Sequence, residues 1–334
     1  MNNTIQNYPK ISVVIPAYNC QKTIKATIES VLQQTFADFE LIVINDGSQD
    51  ATLEIVSQIN DSRLKIFSFE NAGANISRNR GLNYAIGEFV SFLDADDLWI
   101  PEKLESQLQA LQANSQASVA YSWTNCIDEK GQFLRRGTYI AATGNVYAQL
   151  LVINFLESGS NPLIRREALI AVGGFDKSLP AGQDWDIYLR LAANYHFVPV
   201  PYPQILYRIS ASSLSTNVVR QEAACLTVIE RAFKQAPEHL QYLKNYSLAN
   251  IYKYLLYKAL EGSPARNKAI LAAKLLWQTI RHDCSILQKP AYFKALLKIC
   301  ILFLFTPAQA KLLLEKLPKF SNVSTILGYL QIEI

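Results

Sequence analysis

The chain has 334 residues, half of them hydrophobic, with 32 Lys and Arg against 28 Asp and Glu, which excludes a disordered or fibrous protein and leaves room for one large domain or two smaller ones. Its five cysteines (Cys20, Cys126, Cys225, Cys284, Cys300) show no Cys-x-x-Cys spacing, which argues against a zinc site or a disulfide framework and for reduced thiols. The first ten residues are polar and hold no apolar signal core, so a cytoplasmic location is expected.

The net charge of +4 hides an asymmetry. Residues 1–216 hold 16 basic and 21 acidic side chains, whereas residues 217–334 hold 16 and 7. The acidic part can host a cation, and the basic part can meet an anionic surface.

In chain order, Ile11-Ser12-Val13-Val14-Ile15 is a β-branched run closed by Pro16 and reads as the first strand of a parallel sheet. Apolar residues at Ile24, Ile28, Val31 and Leu32 predict a helix. Leu41-Ile42-Val43-Ile44 predicts a second buried strand, ending in Asn45-Asp46-Gly47-Ser48 before a helical pattern through Leu53, Val56 and Ile59. Residues 64–69 form a third candidate strand, and residues 71–81 lead through a helix to Phe89-Val90-Ser91-Phe92-Leu93. Alternating strands and helices predict an α/β fold, whose ligand crevice lies beyond the carboxyl ends of the strands. No Gly-x-Gly-x-x-Gly follows the first strand, so a dinucleotide-binding version is unsupported.

The fourth strand runs into Asp94-Ala95-Asp96-Asp97. If the strand continues, Asp94 and Asp96 share a face about 7 Å apart. Two such carboxylates repel unless a cation stands near, and a hard divalent ion, Mg²⁺ or Mn²⁺, is the expected occupant. An acidic turn capping the helix that starts near Pro101 is the plainer alternative.

Beyond that helix, residues 118–127 and 132–136 read as a hairpin across Asp128-Glu129-Lys130-Gly131. An irregular stretch follows, then a helical stripe of Trp185, Tyr188, Leu189 and Ala192 with Asp184 at its start. Past Asn217 the pattern is helical, and the apolar run 295–305, interrupted by Lys298 and stopped by Pro307, falls short of the ~20 residues of a membrane span. The expected division is a catalytic domain over 1–216 and a helical region over 217–334.

Six stretches, in order, resemble the family 2 glycosyltransferases of GT-A fold. They are Val13-Val14-Ile15-Pro16-Ala17-Tyr18-Asn19, Asn45-Asp46-Gly47-Ser48, Asn71-Ala72-Gly73 with Ser77-Arg78-Asn79, Asp94-Ala95-Asp96-Asp97, Val172-Gly173-Gly174-Phe175-Asp176 and Gln183-Asp184-Trp185-Asp186. The resemblance covers about residues 10–210. It implies that Pro16, Tyr18 and Asp46 surround the nucleobase, that Arg78 helps hold the nucleotide, that Asp94 faces the ribose and that Asp96 binds Mg²⁺ or Mn²⁺. An ionised Asp46 only accepts hydrogen bonds, which suits the imide-type N–H of uracil, thymine or guanine.

The chain departs from the family pattern in having Asn45 before Asp46 and Gln183 before Asp184, and in lacking a His near Tyr207-Arg208-Ile209-Ser210. The Gln-x-x-Arg-Trp motif of processive synthases is absent after Asp184, so one sugar per encounter is expected. The implied reaction is inverting transfer from a nucleoside-diphosphate sugar to a saccharide or lipid-linked acceptor, with Asp184 as general base and Asp186 structural. Sugar-phosphate nucleotidylation would want a Gly-rich basic loop after the first strand, which Pro16-Ala17-Tyr18-Asn19 is not; a non-catalytic sugar-nucleotide scaffold is the other alternative. No nucleic-acid partner is expected. The basic tail is expected either to touch the inner face of the membrane or to pack on the catalytic domain or form a homo-oligomer.

Overall fold

The computed structural model describes residues 8–210 and 217–330. In chain order the first elements are β1 (Ile11–Ala17), α1 (Ile24–Leu32), β2 (Phe39–Asn45), α2 (Thr52–Ser57), β3 (Leu64–Ser68), α3 (Ala74–Tyr84), β4 (Phe89–Phe92), β5 (Leu98–Trp99) and α4 (Lys103–Ala113). They are followed by β6 (Ala117–Ile127), β7 (Phe133–Arg136), α5 (Tyr147–Val152), β8 (Leu163–Arg165), α6 (Arg166–Ala171), α7 (Gln183–Ala192) and β9 (His196–Arg208).

The strands form one sheet in the order β3-β2-β1-β4-β8-β6-β9-β5, with β7 paired to β6. The first four are mutually parallel, β6 and β9 are parallel, and β8 and β5 run antiparallel to their neighbours. β2 is buried along its whole length, and β1 at every residue but Pro16, so both read as unbroken apolar runs rather than alternating ones. Helices cover the sheet, and Ile24, Ile28 and Val31 of α1 join Val13, Ile15, Leu41 and Val43 in the core. This is the expected α/β architecture with a largely parallel sheet.

β1 does not stop at Ile15. It runs through Pro16 to Ala17 in register with β2, while β4 pairs only Ile11 to Val14. Beyond Val14 the strand is bonded on one side, so a residue with no N–H fits there. A second difference concerns the acidic run. β4 ends at Phe92, and Asp94 to Asp97 form a turn in which the Asp97 N–H donates to the Asp94 carbonyl at 3.0 Å. Strand alternation therefore does not set the directions of Asp94 and Asp96.

By internal contacts the chain divides into Met1–Tyr147 with Asn154–Ala211, and Ala148–Ile153 with Ser212–Ile334. The expected boundary at 216/217 abuts residues 211–216, which lie outside the described residues. The second unit holds α8 (Val218–Gln235), α9 (Leu243–Leu260), α10 (Arg266–His282), α11 (Pro290–Leu304), α12 (Pro307–Lys316) and α13 (Pro318–Ser321), with 3-10 turns between α8 and α9, between α10 and α11, and after α13. The buried Lys253 of α9 is paired with Asp283 at 2.7 Å. Among the described residues no helix is long and apolar enough to cross a membrane.

Candidate active site

The carboxyl ends of β1, β2 and β4 converge as the α/β pattern requires. Pro16 is half-buried at the end of β1, and Tyr18 stands 49% exposed just beyond it. The two strand ends are tied by the Asp46 N–H on the Ala17 carbonyl at 2.8 Å. Gly47, at φ +74°, passes so close to the next loop that a Cβ would lie 2.9 Å from the Asn71 nitrogen.

Asp46 is buried, and its carboxylate accepts from the Ala72 and Gly73 N–H groups and from Arg80 Nη1 at 2.9 Å. A carboxylate has about four acceptor sites. Most of the capacity of Asp46 is therefore spent on fixing the turn that begins α3, and little is left for a ligand.

Arg78, 3% exposed, is the hub of the site. Its Nη2 pairs with Asp94 Oδ1, and its Nη1 lies 3.9 Å from Asp184 Oδ1. The guanidinium sits 5.3 Å from the Phe175 ring, whose edge meets Phe92. Burial works to lower the Arg78 pKa, but the charges of Asp94 and Asp184 outweigh it and hold the group above its ordinary value. Its Nε and Nη1 have no hydrogen-bond partner, so the guanidinium retains unused donors.

α3 also fixes the loop that delivers Asp184. Asn75 Nδ2 donates to the Asp176 and Leu179 carbonyls, and Asn79 exchanges hydrogen bonds with both backbone groups of Phe175. Arg190 pairs with Asp186 at 2.6 Å and bonds the Val172 carbonyl, so Asp186 is structural here. Asp184 then projects from the first turn of α7 against Gly159, where a Cβ would come within 2.8 Å of Asp184 Oδ1. Burial raises the Asp184 carboxyl to about 6, the nearby Asp94 charge adds to the rise, and Arg78 and the Gly159 N–H oppose it.

The acidic turn divides its three carboxyls among different surroundings. Asp97 is fully buried, accepts from Ser160 Oγ at 2.6 Å and from the Arg208 N–H at 2.9 Å, and is pushed well above the usual carboxylate range by burial and the charges of Asp96 and Asp94. Arg208 Nε also bonds the Asp96 carbonyl at 2.8 Å, and its Nη1 reaches the Asp128 and Glu129 carbonyls, so β9 clamps the turn. Asp96 itself is raised to about 6, first by burial and then by Asp94.

A divalent ion fits this donor set in chemistry. Both Asp94 and Asp96 offer hard oxygens, and burial together with the Asp94 charge raises Asp96 against the opposing charges of Arg208 and Arg78. Among the described residues no three His, Cys, Asp or Glu side chains form a metal cage. Mg²⁺ ordinarily needs none, since one or two carboxylates and substrate phosphates suffice.

The structure thus sets Arg78 between Asp94, to which it is bonded, and Asp184, 3.9 Å away, and places Asp96 in the same turn as Asp94. It engages Asp46 with Arg80 instead. The sequence assigns no role to Arg80, Asn75, Asn79, Asp97, Gly159, Ser160 or Arg208, although Asn79 and Asp97 stand inside the matching stretches. Asn75 and Asn79 carried a signal in their four-residue spacing on one helix face; the contacts of Gly159 and Arg208 span too much sequence to carry one.

A family profile described as "Glycosyltransferase like family 2" matches residues 12–259. The Escherichia coli UDP-Glc:alpha-D-GlcNAc-diphosphoundecaprenol beta-1,3-glucosyltransferase WfgD is 32% identical over 254 residues, spanning 73% of this chain and 94% of that protein. Among solved structures, S. aureus TarS in complex with UDP is similar with a TM-score of 0.57 at 19% identity, covering 96% of this chain and 90% of that one. The mannosyltransferase PcManGT from Pyrobaculum calidifontis, in complex with GDP-Man and Mn²⁺, gives 0.59 at 17% identity over 96% and 88%. These two likenesses carry the fold, and the sequence match carries more: with a GT-A sheet, an acidic turn and a buried arginine joining that turn to Asp184, the chain belongs to the family 2 glycosyltransferases.

Proposed function

We propose that this glycosyltransferase moves a single sugar, with inversion, from a nucleoside-diphosphate sugar to a hydroxyl of a saccharide or lipid-linked acceptor in polysaccharide, lipopolysaccharide or glycolipid assembly. The observation that carries the reading is the Arg78 guanidinium, which holds Asp94 on one nitrogen and stands 3.9 Å from Asp184 on another. A donor-side acid and a base candidate are thereby fixed around one buried cation.

In this reading Asp184, near 6, is ionised at neutral pH and accepts the acceptor hydroxyl's proton as that oxygen attacks the anomeric carbon. Arg78 keeps that carboxylate in place and holds Asp94 toward the ribose. Asp96, with Asp94 beside it, holds Mg²⁺ or Mn²⁺, and the ion supplies charge neutralisation for the departing diphosphate. Pro16 and Tyr18 flank the nucleobase, with the buried Asp46 acting mainly through the loop it orders. Uracil or guanine is the favoured base, because similar structures were solved with UDP, UDP-GlcNAc and GDP-Man.

The relative WfgD is named for a UDP-glucose donor and a diphosphoundecaprenol-linked acceptor, which supports a lipid-linked acceptor here and work at the inner face of the membrane. Family membership favours transfer over sugar-phosphate nucleotidylation or a non-catalytic scaffold. Incubation with a panel of UDP, dTDP and GDP sugars plus Mn²⁺, with nucleoside diphosphate release as readout, tests the reading. Release from none of them, with or without saccharide and lipid-diphosphate acceptors, refutes it.

A further inference from the structure

α11 carries an unusual outer face. Phe293, Leu296, Leu297, Cys300, Phe303 and Leu304 are all exposed, Leu304 at 72% and Phe293 at 61%. Their spacing of three, four, seven, ten and eleven residues from Phe293 places them on one stripe of the helix. The opposite stripe, Ala291, Ala295, Ile299 and Leu302, is the one packed inward. An ordinary surface helix shows polar side chains where this one shows Phe and Leu.

Cations frame the stripe. The Arg266 guanidinium, at the start of α10, lies 5.1 Å from the Phe303 ring. On the exposed side of α10, Arg266 is followed by Ile270, Lys274, Trp277 and Arg281, with Ile270 63% and Trp277 65% exposed. Residues 262–330 contain ten Lys and Arg but only Asp283 and Glu315 as acids, and Asp283 is already paired with the buried Lys253. Lys298 is not part of the face, since its Nζ turns to the Ser321 carbonyl.

We propose that the outer faces of α10 and α11 form a docking surface for an anionic lipid bilayer. The aromatic and Leu side chains would enter the headgroup boundary while Arg266 and Arg281 meet lipid phosphates, Lys274 being already paired with Glu222 at 3.3 Å. Charge decides between occupants. A second copy of the chain meeting this face through a two-fold axis would bring like charges together, whereas an anionic bilayer supplies negative charge and apolar depth at once. A nucleic acid would satisfy the cations and leave the Leu and Phe stripe in water. The inference deepens the membrane location read above and rests on it for its purpose.

The test uses the full chain with vesicles of phosphatidylglycerol and phosphatidylethanolamine, and with phosphatidylcholine alone as the uncharged control. The parent should pellet with the anionic vesicles at low salt and not with the control. Phe293→Gln/Leu297→Gln/Leu304→Gln removes exposed side chains only, and should lower vesicle affinity at least about 30-fold with an unchanged circular dichroism spectrum. Arg266→Gln/Arg281→Gln should lower it roughly fivefold per cation. Nucleoside diphosphate release without vesicles is measured on the same samples: if release persists while the parent fails to pellet, the docking surface is wrong and the catalytic reading stands. Pelleting by both variants at parental strength also overturns it, as does a parent that forms a dimer which the apolar substitutions dissolve and that ignores vesicles.

Discussion

Replacing Arg78 by Met keeps much of the side-chain volume but removes the charge shared by Asp94 and Asp184. At 3.9 Å and an effective dielectric constant of about 20, the guanidinium–carboxylate attraction at Asp184 is about 4 kcal/mol, equivalent to about three pH units on its titration. The Asp184 side chain is 22% exposed, so water recovers part of this. The carboxyl should therefore rise from about 6 to about 7–8. With Asp184 as the proposed general base, which works only when ionised, the acid limb of kcat/KM is expected near 6 in the parent and should move up by the same amount in the variant. Activity at neutral pH should fall while much of it returns in alkaline buffer.

Stability should carry a matching signature. Two partly buried carboxylates without their cation would cost about 3–5 kcal/mol if they stayed charged. They can instead bind protons, and a folded-state pKa above the unfolded one makes the deficit of the variant smallest at low pH and larger as pH rises. The assays are a pH series of nucleoside diphosphate release and a pH series of thermal melts for parent and variant. An acid limb that stays near 6 in Arg78→Met, or a melting deficit independent of pH, would refute the assignment of Arg78 as the counter-charge of Asp184.

Asp96→Ala should abolish metal-dependent binding of a nucleoside diphosphate in calorimetry while the melting temperature holds, since among the described residues no side chain is hydrogen-bonded to the Asp96 carboxylate and its removal relieves the repulsion with Asp94; unchanged affinity with Mn²⁺ would remove Asp96 from the metal site. Asp184→Asn keeps the shape and should keep donor binding, but transfer should drop roughly 10²–10⁴-fold; turnover within a few fold of the parent would leave Asp184 a helix-start residue and no more. In the helical unit, bonds from Lys253 and Ser285 hold the Asp283 carboxyl below its ordinary 3.8 against the opposing effect of burial. That contribution is present above 3.8 and lost as pH falls through the lower folded value, so Asp283→Asn should lower the melting temperature at neutral pH and narrow the gap to the parent in the acid range.

Much of the fold was legible because its central strands are buried on both faces. Runs such as Leu41-Ile42-Val43-Ile44, too short for a helix of their own and flanked by helical patterns, fit a buried strand and little else. β9 was hidden for an equally physical reason. Pro199, Pro201 and Pro203 interrupt it, and its pairing with β6 jumps from Val200 to Pro203, so a bulge absorbs residues that a regular ladder would reject. β8 and β5 are three and two residues long and owe their strand conformation to their neighbours. At the site, residue types in order marked Asp94, Asp96, Arg78 and Asp184, but their partners were not marked. Asp46 shows why: its bonds to Ala72, Gly73 and Arg80 come from a loop and helix more than twenty residues away.

The acidic turn shows how a run of like residues acquires separate roles. Three carboxyls in four residues cannot all be ionised side by side without compensation. Asp97 escapes by burial, with Ser160 and the Arg208 N–H as partners and its carboxyl held well above the ordinary range. Asp94 is compensated by Arg78. Asp96 receives no such bond: Arg208 approaches its carbonyl, not its carboxylate, and the acid is left at about 6, raised by burial and by Asp94. A cation brought in with a diphosphate would lower that value and relieve the repulsion in the turn. The same partition explains why exchanging Asp97 and Asp96 as test positions would mislead, since loss of Asp97 would strip Ser160 and Arg208 of a buried partner and unfold the turn whether or not a metal binds there.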